Sequence, residues 1–411
     1  MTPARRAALA ALRQTLDRGQ DIQAAVDHHL RDLAPRERPL ATELTYGTVR
    51  LLGRIHALLQ LQLPRFQRLS LLTRRLLELA AYELLFLRVP AHATRSWATQ
   101  AAKALLGPKL AALVHASLRR LESHADLAHD EAAFLASAGS IWDWFSLPSW
   151  IWELWEQERG LDAARELAAM SLTPAPVGVR LRGQVPPDIA RRLRPVARFD
   201  GQKGMALETW PQCLEAAEAQ GIAVRMSLAS QEAVLGLEPL CWPQPVWDAC
   251  AGRGGKALLV HDLGKQVLAS DPNAFRLRGL RNDCRRLGVD LPILQADARK
   301  PPLRIPPGTI LVDAPCSGLG VLARRPDIRW KRTPEDVDAL ARLQTEILDT
   351  AGRILPPGGM LAYLTCTVSR QENEGQLDRL RAQHPQLRLR HCFMTPPQWG
   401  EVFFAALLER S

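Results

Sequence analysis

The sequence lacks any apolar run long enough to cross a membrane. Even its most hydrophobic helical stretch, "LLTRRLLELAAYELLFL", is broken by arginine and glutamate and falls short of the 18 or more residues a span requires. A signal-peptide core is missing too, because Arg13, Asp17 and Arg18 interrupt the apolar residues of "MTPARRAALAALRQTLDRG". A cytoplasmic protein is expected. The seven cysteines (213, 241, 250, 284, 316, 366 and 392) form no CxxC pair, which argues against zinc or a disulfide framework, and no metal is expected. Taken singly, each is an ordinary small buried hydrophobe. Lysine is scarce: only 7 of the 53 basic residues are lysines, and arginine supplies the rest. No coiled-coil pattern or unsatisfied apolar face stands out, so a monomer is expected, and no internal repeat is visible.

The chain is rich enough in apolar residues, at 47% of 411, to build two or three cores. Its formal net charge of +10 favours a polyanionic partner such as nucleic acid. Residues 1–125 read as an all-α domain, with apolar residues at intervals of three and four and prolines confined to the joints at 35, 39, 64, 90 and 108. Arg5, Arg6, Arg50, Arg54, Arg74, Arg75, Arg119 and Arg120 would give that bundle a basic face. Residues 126–147 read as an alanine-rich linker. The stretch "IWDWFSLPSWIWELWEQERG" holds five of the eleven tryptophans, and packing explains such density better than stacking on bases. Residues 148–240 read as a small α+β connecting module, with "VGVRLRG" as its clearest strand. From 241 to 411 strand, glycine turn and helix alternate, the rhythm of a doubly wound α/β sheet.

In such a sheet ligands bind beyond the carboxyl ends of the strands, and here those ends carry distinctive residues. The first strand ends in "DACAGRGGK", a loop of Cys250, Ala251, Gly252, Arg253, Gly254, Gly255 and Lys256. Its glycines admit a ligand to backbone N–H groups at a helix start. The second strand ends in Asp271, placed to accept from a ribose diol; the third ends at Asp297, placed to meet an adenine amino group; the fourth ends in Asp313. The loop spacing differs from GxGxxG and counts against a dinucleotide. Adenosine with a short charged tail fits, and S-adenosyl-L-methionine is such a ligand. Cys316 follows the fourth strand and Cys366 ends the fifth, so the two thiols should share one pocket. Two thiols beside a methyl donor suit an unreactive carbon such as carbon 5 of cytosine. Thiolate attack at carbon 6 makes carbon 5 nucleophilic, and an acid such as Asp313 would stabilise the activated ring. The basic run "RRPDIRWKR" offers Arg324, Arg325, Arg329, Lys331 and Arg332 to RNA phosphates.

"DACAGRGGK", "ASD", "ADAR", "DAPCSGLGVLARRPDIRWKR" and "YLTCTVSRQENE" resemble the RNA 5-methylcytosine methyltransferases, in particular the bacterial Sun (or Fmu) type that modifies 16S ribosomal RNA. "ELTYGTVRLLGRIHALL" is similar to the NusB-like RNA-binding domain those enzymes carry, and "LPSWIWELW" with "VGVRLRG" to their connecting module. The resemblance implies a Rossmann-like class I methyltransferase domain at 241–411. It implies Cys366 as nucleophile, Cys316 as the thiol that assists release, and a cofactor held by the loop 250–256 with Asp271, Asp297 and Asp313. The chain departs from the family at Arg253, where proline is usual, and at Ala257, where threonine or serine is. It also departs at Met226, Ser227 and Leu228, where Gln-Asp-Glu is typical. Arg253 would either bind the cofactor's carboxylate or obstruct it. Two alternatives stay open: an inactive RNA-binding ribosome assembly factor, and the same reaction on transfer RNA.

Overall fold

The computed structural model describes residues 1–182, 197–198, 204–207 and 213–411. The chain divides into two compact units, Met1–Thr173 with Arg325–Lys331, and Pro174–Arg324 with Arg332–Ser411.

The first unit is helical. Its helices start where the sequence supplies a cap: Thr2 before Pro3–Leu16, Asp21 before Ile22–Leu30, Ser70 before Leu71–Phe86. Such side chains satisfy amide groups that the first turn leaves without partners. Pro3 and Pro108 sit in first turns, where a missing N–H costs nothing. Leucine and alanine faces meet in one core that includes Leu12, Ile22, Leu44, Ile55, Leu79 and Phe134. This unit reaches Thr173, and the stretch expected as a linker carries short helices, Glu131–Ser137 and Ile141–Trp144. The tryptophans pack as expected at Trp152 and Trp155, both buried, with Phe145 and Trp152 stacked 5.7 Å apart.

The expected basic face is only partly present. Arg50, Arg54 and Arg75 are buried. Arg54 donates to the Trp144 and Ala128 carbonyls, and Arg75 pairs with Asp17 and Glu78. Arg5 pairs with Glu83 at 2.8 Å. Arg6, Arg119 and Arg120 remain exposed. Arg5, Arg54 and Arg75 are thus internal partners of carboxylates and carbonyls, because burying an acid such as Glu83 or Glu78 requires a paired donor.

The second unit holds two sheets. The smaller runs β2-β3-β1-β4 and is antiparallel throughout, with β1 Val177–Leu181, β2 Ala197–Arg198, β3 Gly204–Leu207 and β4 Ala223–Arg225. The rest of the expected connecting module between these strands lies partly outside the described residues. The larger sheet has seven strands in the order β10-β11-β9-β8-β5-β6-β7. Its strands are β5 Val246–Asp248, β6 Val267–Asp271, β7 Ile293–Gln295, β8 Thr309–Asp313, β9 Met360–Thr365, β10 Leu387–Met394 and β11 Phe404–Arg410. Strands β7, β6, β5, β8 and β9 are parallel, and β11 is antiparallel to both β9 and β10. The chain proceeds outward from β5 through β6 to β7, then returns to lay β8 on the other side of β5. The loops after β5 and β8 therefore diverge, opening the crevice in which doubly wound sheets take ligands.

Candidate active site

Strand β5 delivers Asp248 and the glycine loop to that crevice. Gly252 and Gly254 have φ of +57° and +81°, values that side chains resist and glycine accepts. A Cβ on Gly254 would stand 2.1 Å from Leu280, whereas nothing lies within 4 Å of the Cβ positions of Gly252 and Gly255. The loop is thus pinned on one side and open on the other, ahead of the helix Gly255–Asp262. Asp271, at the end of β6, braces it: one carboxylate oxygen accepts the Gly252 N–H at 3.0 Å and the other the Asn273 N–H at 2.7 Å.

Asp297 follows β7 and has a local partner, for the Arg299 guanidinium donates to both its oxygens at 2.7–3.0 Å. Donation from Arg299 holds the Asp297 carboxyl below its usual range. Arg253 lies with its Nε 3.2 Å from the point a Gly279 Cβ would occupy, so the absent side chain at Gly279 makes room for the guanidinium. At the second departure, Ser227 caps the helix Leu228–Leu235 by accepting from the Ser230 N–H at 3.2 Å.

Strand β8 delivers Asp313, whose carboxylate accepts from Lys256 Nζ at 2.6 Å. Lys256 also stands 5.0 Å from the Phe403 ring centroid. Burial alone would lower the Lys256 pKa, but the Asp313 charge and hydrogen bond raise it above its ordinary value. The ammonium is therefore fixed beside the acid. Asp248, fully buried, is a residue that the sequence reading missed. Burial and then the nearby Asp313 charge push its carboxyl up to about 8, and its Oδ2 has no partner among the described residues.

Strands β8 and β9 are parallel neighbours, with Asp313 opposite Leu364. The loops that follow them bring Cys316 Sγ to 3.1 Å from Cys366 Sγ, and the Cys366 N–H donates to Cys316 Sγ at 3.2 Å. The hydrogen bond with Cys366, and then burial, push the Cys316 thiol well above its usual value, so Cys316 keeps its proton at neutral pH. Cys250 is pushed up by burial and reads as packing. The sequence reading expected the two thiols in one pocket, and the structure brings Cys316 to Cys366 and Lys256 to Asp313.

The basic run behaves otherwise. Arg329 is fully buried, and its guanidinium donates to the carbonyls of Arg50, Ser146 and Ser171 at 3.0–3.3 Å. Phosphate contact by Arg329 is thereby corrected: that cation faces carbonyls inside the first unit. Arg324 pairs with Glu401 at 2.6 Å, Arg325 with Asp21, and Lys331 with Asp327 at 2.7 Å. Arg332 donates to the Ser317 carbonyl at 3.1 Å.

Among the described residues no helix is long and apolar enough to cross a membrane. Comparison with known proteins gives the same picture from outside. The family described as 16S rRNA methyltransferase RsmB/F matches residues 237–403, and the NusB family matches residues 2–123. Ribosomal RNA small subunit methyltransferase B of Vibrio cholerae is 30% identical over 404 residues, covering 94% of this chain and 90% of that protein. The Vibrio vulnificus protein of the same name is 30% identical, covering 94% and 92%. In fold, the crystal structure of PH0851 superimposes with a TM-score of 0.80 at 21% identity, covering 100% of this chain and 99% of that one. NSun6 from Pyrococcus horikoshii, solved with SFG, gives 0.56 at 21%, covering 64% and 98%. The parallel sheet with its glycine loop, the paired thiols and these matches agree: the chain belongs to the RsmB/F family of 16S ribosomal RNA methyltransferases and carries a NusB-family domain at its N-terminal end.

Proposed function

We propose that this protein methylates carbon 5 of a cytosine in small-subunit ribosomal RNA, using S-adenosyl-L-methionine, with Cys366 as nucleophile and Cys316 assisting release. The observation that carries this reading is the 3.1 Å separation of the two sulfurs on adjacent strand ends, beside the Lys256–Asp313 pair.

The open side of the glycine loop fits the cofactor. Gly252, Gly254 and Gly255 would cradle it. Asp271 accepts two protein hydrogen bonds, and a carboxylate has about four lone-pair sites, which leaves capacity for a ribose hydroxyl. When bound, the cofactor supplies a sulfonium methyl, an electrophile that needs a nucleophilic carbon. Cys366 creates that carbon. Its thiolate adds to carbon 6, and the electron pair of the carbon 5–carbon 6 double bond becomes available at carbon 5. Asp313, held by Lys256, accepts from the pyrimidine edge and offsets the positive charge of the activated ring. After methylation, solvent water takes the proton from carbon 5, the electron pair of that bond restores the carbon 5–carbon 6 double bond, and the bond from carbon 6 to the Cys366 sulfur breaks with its pair left on sulfur. Cys316 lies where it can take part in that elimination and return a proton to the departing sulfur.

The test is transfer of radiolabelled methyl from S-adenosyl-L-methionine to unmodified 16S ribosomal RNA. Wild type is expected to label cytosine, Cys366→Ser to lose at least 10³-fold in rate, and Cys316→Ala to accumulate a denaturant-resistant protein–RNA adduct. Label without any Cys366 dependence overturns the covalent route. Folded, RNA-binding wild type that transfers no label overturns the methyltransferase reading.

A further inference from the structure

The two reactive thiols stand on separate loops, and the ladder between β8 and β9 ends before either of them. What holds the sulfurs together is found one residue further on. Ser317, which follows Cys316, and Thr367, which follows Cys366, share a hydroxyl–hydroxyl hydrogen bond of 2.8 Å. Both turn toward Glu372, a fully buried side chain. One oxygen of Glu372 accepts the Ser317 N–H at 2.8 Å and the Gln344 side-chain N–H at 3.0 Å. The other accepts the Ser317 hydroxyl. Gln344 donates in addition to the carbonyl of Pro315 at 2.9 Å, just before Cys316. The next residue, Asn373, brackets the other thiol. Its side chain accepts from the Thr365 hydroxyl at 2.5 Å and donates to the Thr367 carbonyl at 3.0 Å.

Among the described residues no arginine, lysine or histidine pairs with Glu372, so this carboxylate sits buried on neutral donors alone. An apolar side chain would fill the same space without that desolvation cost. A carboxylate earns its place there through direction: its lone pairs collect donors from the two thiol loops at one point.

We propose that Glu372 is a positioning residue for methyl transfer, setting the separation of Cys316 and Cys366 through Ser317 and Thr367. The proposal rests on the two-thiol reading above. It assigns Glu372 no contact with RNA or cofactor, so its loss should disturb the sulfur spacing while leaving both binding sites intact.

The spacing can be read without substrate. Diamide takes two electrons and two protons from a close thiol pair, becoming its hydrazine as the sulfurs join, and mass spectrometry of the linked peptide gives the rate. Wild type is expected to form the Cys316–Cys366 bond readily. Glu372→Ala should slow it at least tenfold and lower kcat about 10²-fold, the usual cost of an ångström of misplacement, with RNA KM and cofactor affinity within twofold. Glu372→Gln keeps one acceptor oxygen and should restore most of both rates. If Glu372→Ala does not fold, the Ser317→Ala/Thr367→Ala pair should show the same slowing with Glu372 in place. Unchanged diamide and methyl-transfer rates in these variants overturn the positioning role, as does a loss shared equally by RNA KM and cofactor affinity. Wild type whose thiols join at a rate set by Glu372, yet which transfers no methyl, overturns the two-thiol chemistry and leaves the spacing role standing.

Discussion

Asp248 is a carboxylic acid with no exposed surface, facing Asp313, Lys256, Asp271 and the Cys250 N–H. Burial lifts its pKa to about 8, whereas the unfolded chain would return it to about 3.9. Between those values the native state holds a proton that the unfolded state has lost, so rising pH favours unfolding at this residue. Asp248→Asn keeps the acceptor for Cys250 and removes the titration. Its melting temperature is expected to fall less than that of wild type between pH 5 and 8, and differential scanning calorimetry across that window checks it. A variant that tracks wild type throughout would mean that Asp248 is ionised in the fold. The contrast with Asp313 shows how one residue type acquires two roles. Asp313 has an ammonium at 2.6 Å, whereas among the described residues the Asp248 carboxyl has one hydrogen-bond donor, the Cys250 N–H.

The loop between β8 and Arg324 behaves as an element in its own right, fastened by backbone at several points. The Gly320 N–H donates to the Cys366 carbonyl at 3.0 Å, and the Val402 N–H donates to the Gly320 carbonyl at 2.8 Å. A Cβ at Gly320 would lie 2.2 Å from the Val402 oxygen and 3.0 Å from that of Cys366. Backbone oxygens held in such a ladder cannot rotate aside as a side chain would. Gly320→Ala is therefore expected to cost on the order of 2 kcal/mol, measured by denaturant unfolding, and to lower methyl transfer more than tenfold. Elements also show what a sequence discloses. Strands β5, β6, β7, β8, β9 and β11 were legible because glycine, proline or acid sets off their short apolar runs, and the thiols and acids were legible because they stand at or just beyond the ends of those runs. Strand β10 was not. Arg388, Arg390 and His391 interrupt its pattern, since an outer strand of the sheet buries little of its length. Glu372 and Ser317 escaped notice for another reason: their meaning arises only when two loops 55 residues apart converge.

At the scale of the whole molecule the arginines carry the lesson that charge in a sequence does not locate itself. Arg50, Arg54 and Arg75, expected on a basic face, and Arg329, expected on RNA phosphate, lie inside the first unit; Arg54, Arg75 and Arg329 meet acids and carbonyls there, most of them far away in the chain. The first unit is not continuous in sequence. Arg325–Lys331 belongs to it, with Trp330 Nε1 donating to the Val49 carbonyl at 2.8 Å and Asp327 accepting the Ile22 N–H at 3.3 Å. Arg329→Met would leave several buried carbonyls unpaired at a cost on the order of 3 kcal/mol. Unfolding of the helical unit, followed by limited proteolysis, is expected to shift accordingly, and an unchanged transition would assign those carbonyls other partners. The same insertion has a consequence for biosynthesis. As the chain emerges from the ribosome, residues 1–173 appear first, but the piece that satisfies Arg50, Ser146 and Ser171 is translated only after most of the second unit. The helical unit is thus a structure whose last component arrives late, and its completion in the cell waits on synthesis of the loop that bears Cys316.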